Sequence, residues 1–196
     1  MTKQTSIVGD VNILRILRFI WQHKDASRSK VASELGLDKS TVSKITSKLV
    51  DLGIVEEASL GDSGVQGGRR LVFLKIKGSF ACVGGIEINP ERFVCCLLDL
   101  NGSVLFQWQE SISPQRYKEL GCKGIFFNAY ELISKTAQNQ NMTLVGIGIG
   151  IPGMVDSTAG KIVQSVSLMI DEPYDFISDI SNKIDILNDN ISNDSK

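Results

Sequence analysis

Apolar residues recur at helical spacing in three stretches near the start of the chain. From Val11 to about Gln22, Ile13, Leu14, Leu17, Ile20 and Trp21 form a stripe, with Arg15 and Arg18 on another face. Ser27 then stands before Arg28–Leu35, where its hydroxyl can cap first-turn amides that lack an intrahelical partner. Gly36 breaks that short helix. Asp38 is placed to cap a third helix, Lys39 to Leu52, its carboxylate suiting the positive end of the helix dipole, and Gly53 closes it. In this helix Val42, Ile45, Leu49 and Leu52 make the core-facing stripe. Two short apolar runs follow, 54–58 and 71–76, joined by a loop with four glycines, and they read as a β-hairpin.

Beyond Ala81 the period changes from helix to strand. Ala81–Asn89 and Phe93–Asp99 read as buried strands, and Asn101-Gly102 is a two-residue hairpin signal leading into Ser103–Glu110. Pro114 to Gln138 reads as a helix through Leu120, Ile125, Phe126, Ala129, Leu132 and Ile133, interrupted in pattern by Gly121 and Gly124. Thr143–Asp156 is a strand running into a glycine-proline loop. Three meander strands, a crossover helix and another strand open an α/β sheet. The expected organisation is a domain over 1–77, an α/β domain over 78–186 and a polar, disordered tail over 187–196.

The chain has 196 residues, 42% of them apolar and 22% charged, ordinary values for a folded soluble protein. No apolar run reaches the ~18 residues of a membrane helix, and the start lacks the layout of a signal peptide, so a cytoplasmic protein with no membrane partner is expected. Cys82, Cys95, Cys96 and Cys122 show no CxxC spacing and His23 is the only histidine, which excludes a zinc finger or a histidine-based triad within this chain. Buried reduced thiols are the expectation, with no metal and no cofactor.

The net charge of −1 conceals two halves of opposite sign. Residues 1–77 carry 13 Lys/Arg against 8 Asp/Glu, and residues 78–196 carry 8 against 14. Chance clustering is one explanation of the split; a nucleic-acid module joined to a domain that avoids nucleic acid is the other.

Pattern favours the second. Helix, tight glycine turn, helix is the arrangement that delivers a second helix to the DNA major groove. Ser40, Ser43, Lys44 and Ser47 occupy the face opposite the apolar stripe, with Lys39, Thr41 and Lys48 beside them, and no acid occurs from 39 to 50. A merely solvated face usually mixes Glu with Lys; this one can approach phosphates and base edges without repulsion. In the hairpin loop, Gly67-Gly68 permits close backbone approach and Arg69-Arg70 supplies two fixed charges, suited to a narrow A·T-rich minor groove. A flexible loop with incidental arginines is the alternative.

The runs SRSKVA at 27–32, GLDKSTVSK at 36–44, LVDLGIVEE at 49–57 and GGRR at 67–70 resemble the DNA-binding head of the ROK (repressor, open reading frame, kinase) transcription factors. The GLxxxTVS turn is shared by many winged-helix regulators; GIVEE followed by GGRR is more specific. GIGIPGMVD and the following Gly160-Lys161-Ile162 are similar to the opening of that family's kinase-like domain, so the resemblance covers roughly residues 10 to 185. It implies an α/β protein overall: an N-terminal winged helix-turn-helix followed by a partial ribonuclease-H-like domain of the actin/sugar-kinase type.

The resemblance further implies a sequence-specific regulator, a repressor of carbohydrate-utilisation genes, binding an A·T-rich double-stranded operator as a homodimer. Lys39, Ser40, Thr41, Ser43, Lys44 and Ser47 would face the major groove. Ser27, Arg28 and Lys48 would hold phosphates, and Gly68, Arg69 and Arg70 would probe the minor groove. A sugar or sugar phosphate would act as inducer in a full-length relative. Two departures alter the expectation. Family kinases open the domain with an Asp-x-Gly-x-Thr phosphate loop, whereas here Glu87-Ile88-Asn89-Pro90-Glu91 lacks one amide and adds negative charge. The family's sugar-contacting ENDAN segment and zinc site are expected beyond residue 185, where Asn188-Asp189-Asn190 only partly matches, so a chain shortened at its C-terminus with weak or absent inducer response is expected. No enzymatic activity is expected; a ROK-type sugar kinase and a winged-helix protein-interaction module are the alternatives.

Overall fold

The computed structural model describes residues 3–59 and 72–181, with the side chains of 3–10 and of Ser59 left aside. The chain divides into two compact units, Met1–Ala81 with the Asp99–Ser103 turn, and Cys82–Leu98 with Val104–Lys196.

In the first unit, helices α1 (Lys3–Gln22), α2 (Arg28–Leu35) and α3 (Lys39–Asp51) precede an antiparallel pair, β1 (Val55–Ser59) and β2 (Val72–Ile76). Helix α2 begins as expected: the Ser27 hydroxyl accepts from the Lys30 amide at 3.2 Å. It ends at Gly36, whose φ of +63° and ψ of +35° lie in the left-handed region that favours glycine. Asp38 departs from expectation. It occupies the N-cap position of α3 with extended backbone, but its carboxylate makes no capping bond, and only its carbonyl is engaged, by the Val42 amide at 3.0 Å.

Ile16, Phe19 and Ile20 of α1, Val31 of α2, Val42 and Leu49 of α3, Val55 of β1 and Leu74 of β2 share one core. Three details differ from the periodic reading. Leu14 and Trp21 point outward, because the unit covers only one side of α1, the side centred on fully buried Ile16. Leu52 is exposed just past the end of α3. Thr46 takes an interior place beside Val42 and Leu49, and Ile45 is half-buried. The Thr46 hydroxyl donates to the Val42 carbonyl at 2.8 Å, so a polar group lies in the core without a lost hydrogen bond.

In the second unit, β3 (Ala81–Asn89), β4 (Arg92–Asp99) and β5 (Val104–Ser111) form a meander. Helix α4 (Pro114–Asn139) follows, and β6 (Thr143–Gly150) then takes its place beside β3, giving the order β5-β4-β3-β6. A small hairpin, β7 (Met154–Asp156) with β8 (Lys161–Gln164), comes next. Cys82, Ile86 and Ile88 of β3 and Phe93, Cys95 and Leu97 of β4 alternate inward against Ile125, Phe126, Ala129 and Ile133 of α4. Gly84 lets the helix pack close to β3: a Cβ there would lie 3.2 Å from the Ile133 Cγ2.

Helix α4 is not continuous. Gly121 adopts φ +60° and ψ −177°, a conformation open in practice to glycine alone, and divides it into two segments. Cys82, Cys95 and Cys122 are buried, Cys96 is half-buried, and none forms a disulfide. Burial pushes the Cys95 thiol up to about 11. Among the described residues no helix is long and apolar enough to cross a membrane, and no cluster of His, Cys, Asp and Glu could hold a metal ion.

Candidate nucleic-acid interface

Helix α3 turns one uninterrupted polar surface outward. Lys39, Ser40, Ser43, Lys44, Ser47 and Lys48 are exposed and Thr41 is half-buried, while Val42, Thr46 and Leu49 face the core. The outward set follows from the inward one. At 3.6 residues per turn, burying 42, 46 and 49 on one side leaves 40, 43, 44 and 47 on the other.

Of the residues expected at phosphates, Lys48 is exposed and the other two are bonded within the unit. Ser27 caps α2 and also lies 3.0 Å, hydroxyl to hydroxyl, from Ser29. The Arg28 guanidinium reaches in two directions. Its Nε donates to the Thr46 hydroxyl at 3.1 Å and one terminal nitrogen pairs with a Glu57 carboxylate oxygen at 2.6 Å, so a single side chain joins α2 to α3 and to β1. Sequence pattern contains no signal for this pairing, since Arg28, Thr46 and Glu57 are far apart along the chain. Arg15 was likewise hidden: it donates to the Leu35 carbonyl at 2.9 Å, placing a cation at the negative end of α2.

These bonds shape the electrostatics around α3. Glu57 is matched by Arg28, and Glu56 stands opposite Lys75 in the β1–β2 register with its carboxylate 3.8 Å from that ammonium. Lys30 pairs with Asp25 at 2.5 Å and holds that carboxyl below the usual carboxylate range. The two hairpin acids nearest in sequence to α3 are thus both countered by cations. Gly68, Arg69 and Arg70 lie outside the described residues; the strands that carry their loop are in place, with Val55 paired to Ile76 and Ser59 to Val72. His23 stacks on Phe19 at a centroid distance of 4.0 Å, and its Nδ1 donates to the Phe19 carbonyl at 2.9 Å.

In the second unit, the β3–β4 connection is a tight Pro90-Glu91 turn. The Glu91 amide is taken by the Asn89 side-chain oxygen at 3.2 Å, and Glu87 pairs with Arg92 at 3.5 Å. With Pro90 lacking an N–H, this turn presents carboxylates and no row of free amides. Elsewhere in the unit Asp179 bridges Lys123 and the Tyr174 hydroxyl. The Lys123 ammonium, with the Tyr174 hydroxyl second, holds the Asp179 carboxyl below its ordinary range.

The first unit is thus a helix-turn-helix followed by a two-stranded wing, and the sequence profile of winged helix-turn-helix DNA-binding domains matches residues 10–56. The profile of the ROK family matches residues 83–194, and the chain belongs to that family. It is similar to a putative xylose repressor of Caldicellulosiruptor sp. (strain Rt8B.4), 29% identical over 163 residues, which are 83% of this chain and 40% of the relative. Similarity extends to the xylose repressor of Bacillus subtilis (strain 168), 30% identical over 77% of this chain and 38% of the relative. The N-acetylglucosamine repressor of Escherichia coli O157:H7 is 26% identical over 80% of this chain and 37% of its own length. The chain therefore spans about two-fifths of the length of these curated relatives, all of them named as repressors. A solved ROK family transcriptional regulator, a homologue of the E. coli Mlc protein, shares the fold with a TM-score of 0.60 at 23% identity, covering 82% of this chain and 40% of that one.

Proposed function

We propose that the protein is a sequence-specific DNA-binding regulator that represses carbohydrate-utilisation genes from the cytoplasm. The observation that carries this reading is the exposed, acid-free face of α3 on the second helix of a helix-turn-helix. Lys39, Ser40, Thr41, Ser43, Lys44 and Ser47 enter the major groove, where short hydroxyls read base edges and ammonium groups meet phosphates. Lys48 holds backbone phosphate. Ser27 and Arg28, already bonded inside the unit, act through the placement of α2 and α3. Gly68, Arg69 and Arg70 form the minor-groove probe. One helix-turn-helix reads few bases, so two copies bind paired half-sites as a homodimer. In a full-length relative a sugar or sugar phosphate would be the effector, linked to DNA affinity through the kinase-like unit, and this chain responds to it weakly or not at all.

Phosphoryl transfer is not part of this reading. The Pro90-Glu91 turn offers carboxylates where a phosphate loop would offer amides, and a coupled ADP-release assay with a panel of hexoses checks that assignment.

The DNA-binding test is selection from a pool of randomised duplexes, followed by fluorescence anisotropy on the recovered and scrambled sequences over a salt series. A recovered consensus and a steep loss of affinity with salt are expected. Arg70→Ala should weaken binding to an A·T-rich operator by about 1–3 kcal/mol. Equal binding of recovered and scrambled duplexes, or affinity indifferent to salt, would overturn the proposal.

A further inference from the structure

Helix α3 begins with a charged group that the helix itself leaves unengaged. Asp38 stands at the N-cap position, where an aspartate ordinarily accepts from a first-turn amide. Its backbone is extended, with φ −62° and ψ +139°, yet its side chain makes no capping bond. The residue is exposed, and among the described residues its carboxylate has no hydrogen-bond or ion-pair partner. Other acids of the unit differ from it. Asp25, Glu56 and Glu57 are each countered by a cation. Glu34 and Asp51 are exposed too, but they lie near the C-terminal ends of α2 and α3. Asp38 alone stands immediately before Lys39 and Ser40, at the start of the exposed polar face.

A free carboxylate at this place weakens attraction to a polyanion unless DNA presents a donor to it. Ionised, it only accepts hydrogen bonds. Phosphate oxygens, guanine N7 and O6 and thymine O4 are acceptors as well, so they repel it. The major groove offers two amino donors, adenine N6 and cytosine N4. Adenine sets its N7 acceptor beside N6, where the second carboxylate oxygen would meet it. Cytosine presents its N4 donor with no acceptor of its own in that groove.

We infer that Asp38 is a specificity-determining residue that accepts a hydrogen bond from the N4 amino group of a cytosine in the major groove. The inference rests on the DNA-reading role of α3 and names one base that the helix selects. In a helix-turn-helix the N-terminal residues of the second helix are the ones that reach base edges, and residue 38 occupies that end. The side chains after it discriminate less. A serine or threonine hydroxyl both donates and accepts, so it tolerates several bases. A carboxylate instead rejects thymine and guanine by like polarity, and much of its selectivity lies in that rejection.

The test is selection from randomised duplexes with the full chain, unsubstituted and as Asp38→Ala and Asp38→Asn, followed by anisotropy on the recovered sequences. The unsubstituted protein should recover a cytosine whose replacement by thymine, which exchanges the donor for an acceptor, lowers affinity about fivefold or more. In Asp38→Ala that position should become degenerate, with cytosine and thymine within about twofold, while affinity for a scrambled duplex rises because a negative charge is gone. In Asp38→Asn the preference should move to adenine, whose N6 and N7 match an amide. A role confined to the helix dipole would instead lower the melting temperature and weaken all duplexes alike, with the consensus unchanged. That unchanged consensus in both variants overturns the inference and leaves the DNA reading standing. If the unsubstituted protein recovers no consensus at all, the DNA reading fails and the inference fails with it.

Discussion

Arg28 supplies the sharpest distinction between a group that touches DNA and one that positions those that do. Arg28→Ala removes two bonds, the donation to Thr46 at 3.1 Å and the pair with Glu57 at 2.6 Å. The ion pair is substantially exposed, its side chains 32% and 42% accessible, so solvent screening limits it to well under about 1 kcal/mol. The hydrogen bond to the buried threonine contributes on the order of 1 kcal/mol, and the Thr46 hydroxyl keeps its own donation to the Val42 carbonyl, so no buried donor is orphaned. The expected loss is therefore about 1–2 kcal/mol. In a unit of this size that lowers the melting temperature by roughly 4–8 °C per kcal/mol. The paired assay is the salt dependence of DNA binding. A phosphate contact contributes about 0.9 to the slope of log affinity against log salt. If Arg28 is spent on Thr46 and Glu57, the variant binds more weakly with an unchanged slope. A slope reduced by about 0.9 with no change in melting temperature would refute this reasoning and return Arg28 to the phosphates.

The converse pattern is expected for the exposed lysines. Replacing Lys39, Lys44 and Lys48 together by alanine should cut the salt slope by about 2–3 while the melting temperature stays within a degree or so, measured by anisotropy and differential scanning fluorimetry. Gly121→Ala meets no atom within 4 Å, so its cost is backbone strain alone, about 1–3 kcal/mol at φ +60°, ψ −177°, visible in denaturant unfolding of the second unit. Asp179 has its carboxyl lowered by Lys123 and then by Tyr174, so it contributes stability above the unfolded carboxylate value that is lost as pH falls through the depressed folded one. Melting curves should show a smaller acid-induced loss between neutral pH and about pH 3 in Asp179→Asn than in the unsubstituted protein. An equal loss in both would remove that group from the acid response.

Local chemistry made much of this molecule readable before any coordinates. A hydroxyl before Arg28, a glycine able to take positive φ at 36 and an unbroken absence of acids from 39 to 50 act within a turn or two of themselves. Helix α2, its end and the outward face of α3 accordingly stand where pattern placed them. The two strands over 81–99 were legible as apolar runs, whereas their alternation, with Phe93, Cys95 and Leu97 fully inward, follows from α4 packing against one side of the pleat. Distance along the chain hid the rest. Which apolar residues of α1 are buried depended on how far α2, α3 and β2 reach around it, so Leu14 and Trp21 changed sides and Ile16 became the centre. Thr46 belonged to neither face read from pattern, because a burial pattern read from apolarity passes over hydroxyls, and inside the unit its own helix carbonyl satisfies it. Nothing in the pattern placed Thr46 and Glu57 beside Arg28, because the three are distant along the chain. Propensity and periodicity determine elements and their faces; only tertiary packing decides which of those faces is covered, and which charges are already taken.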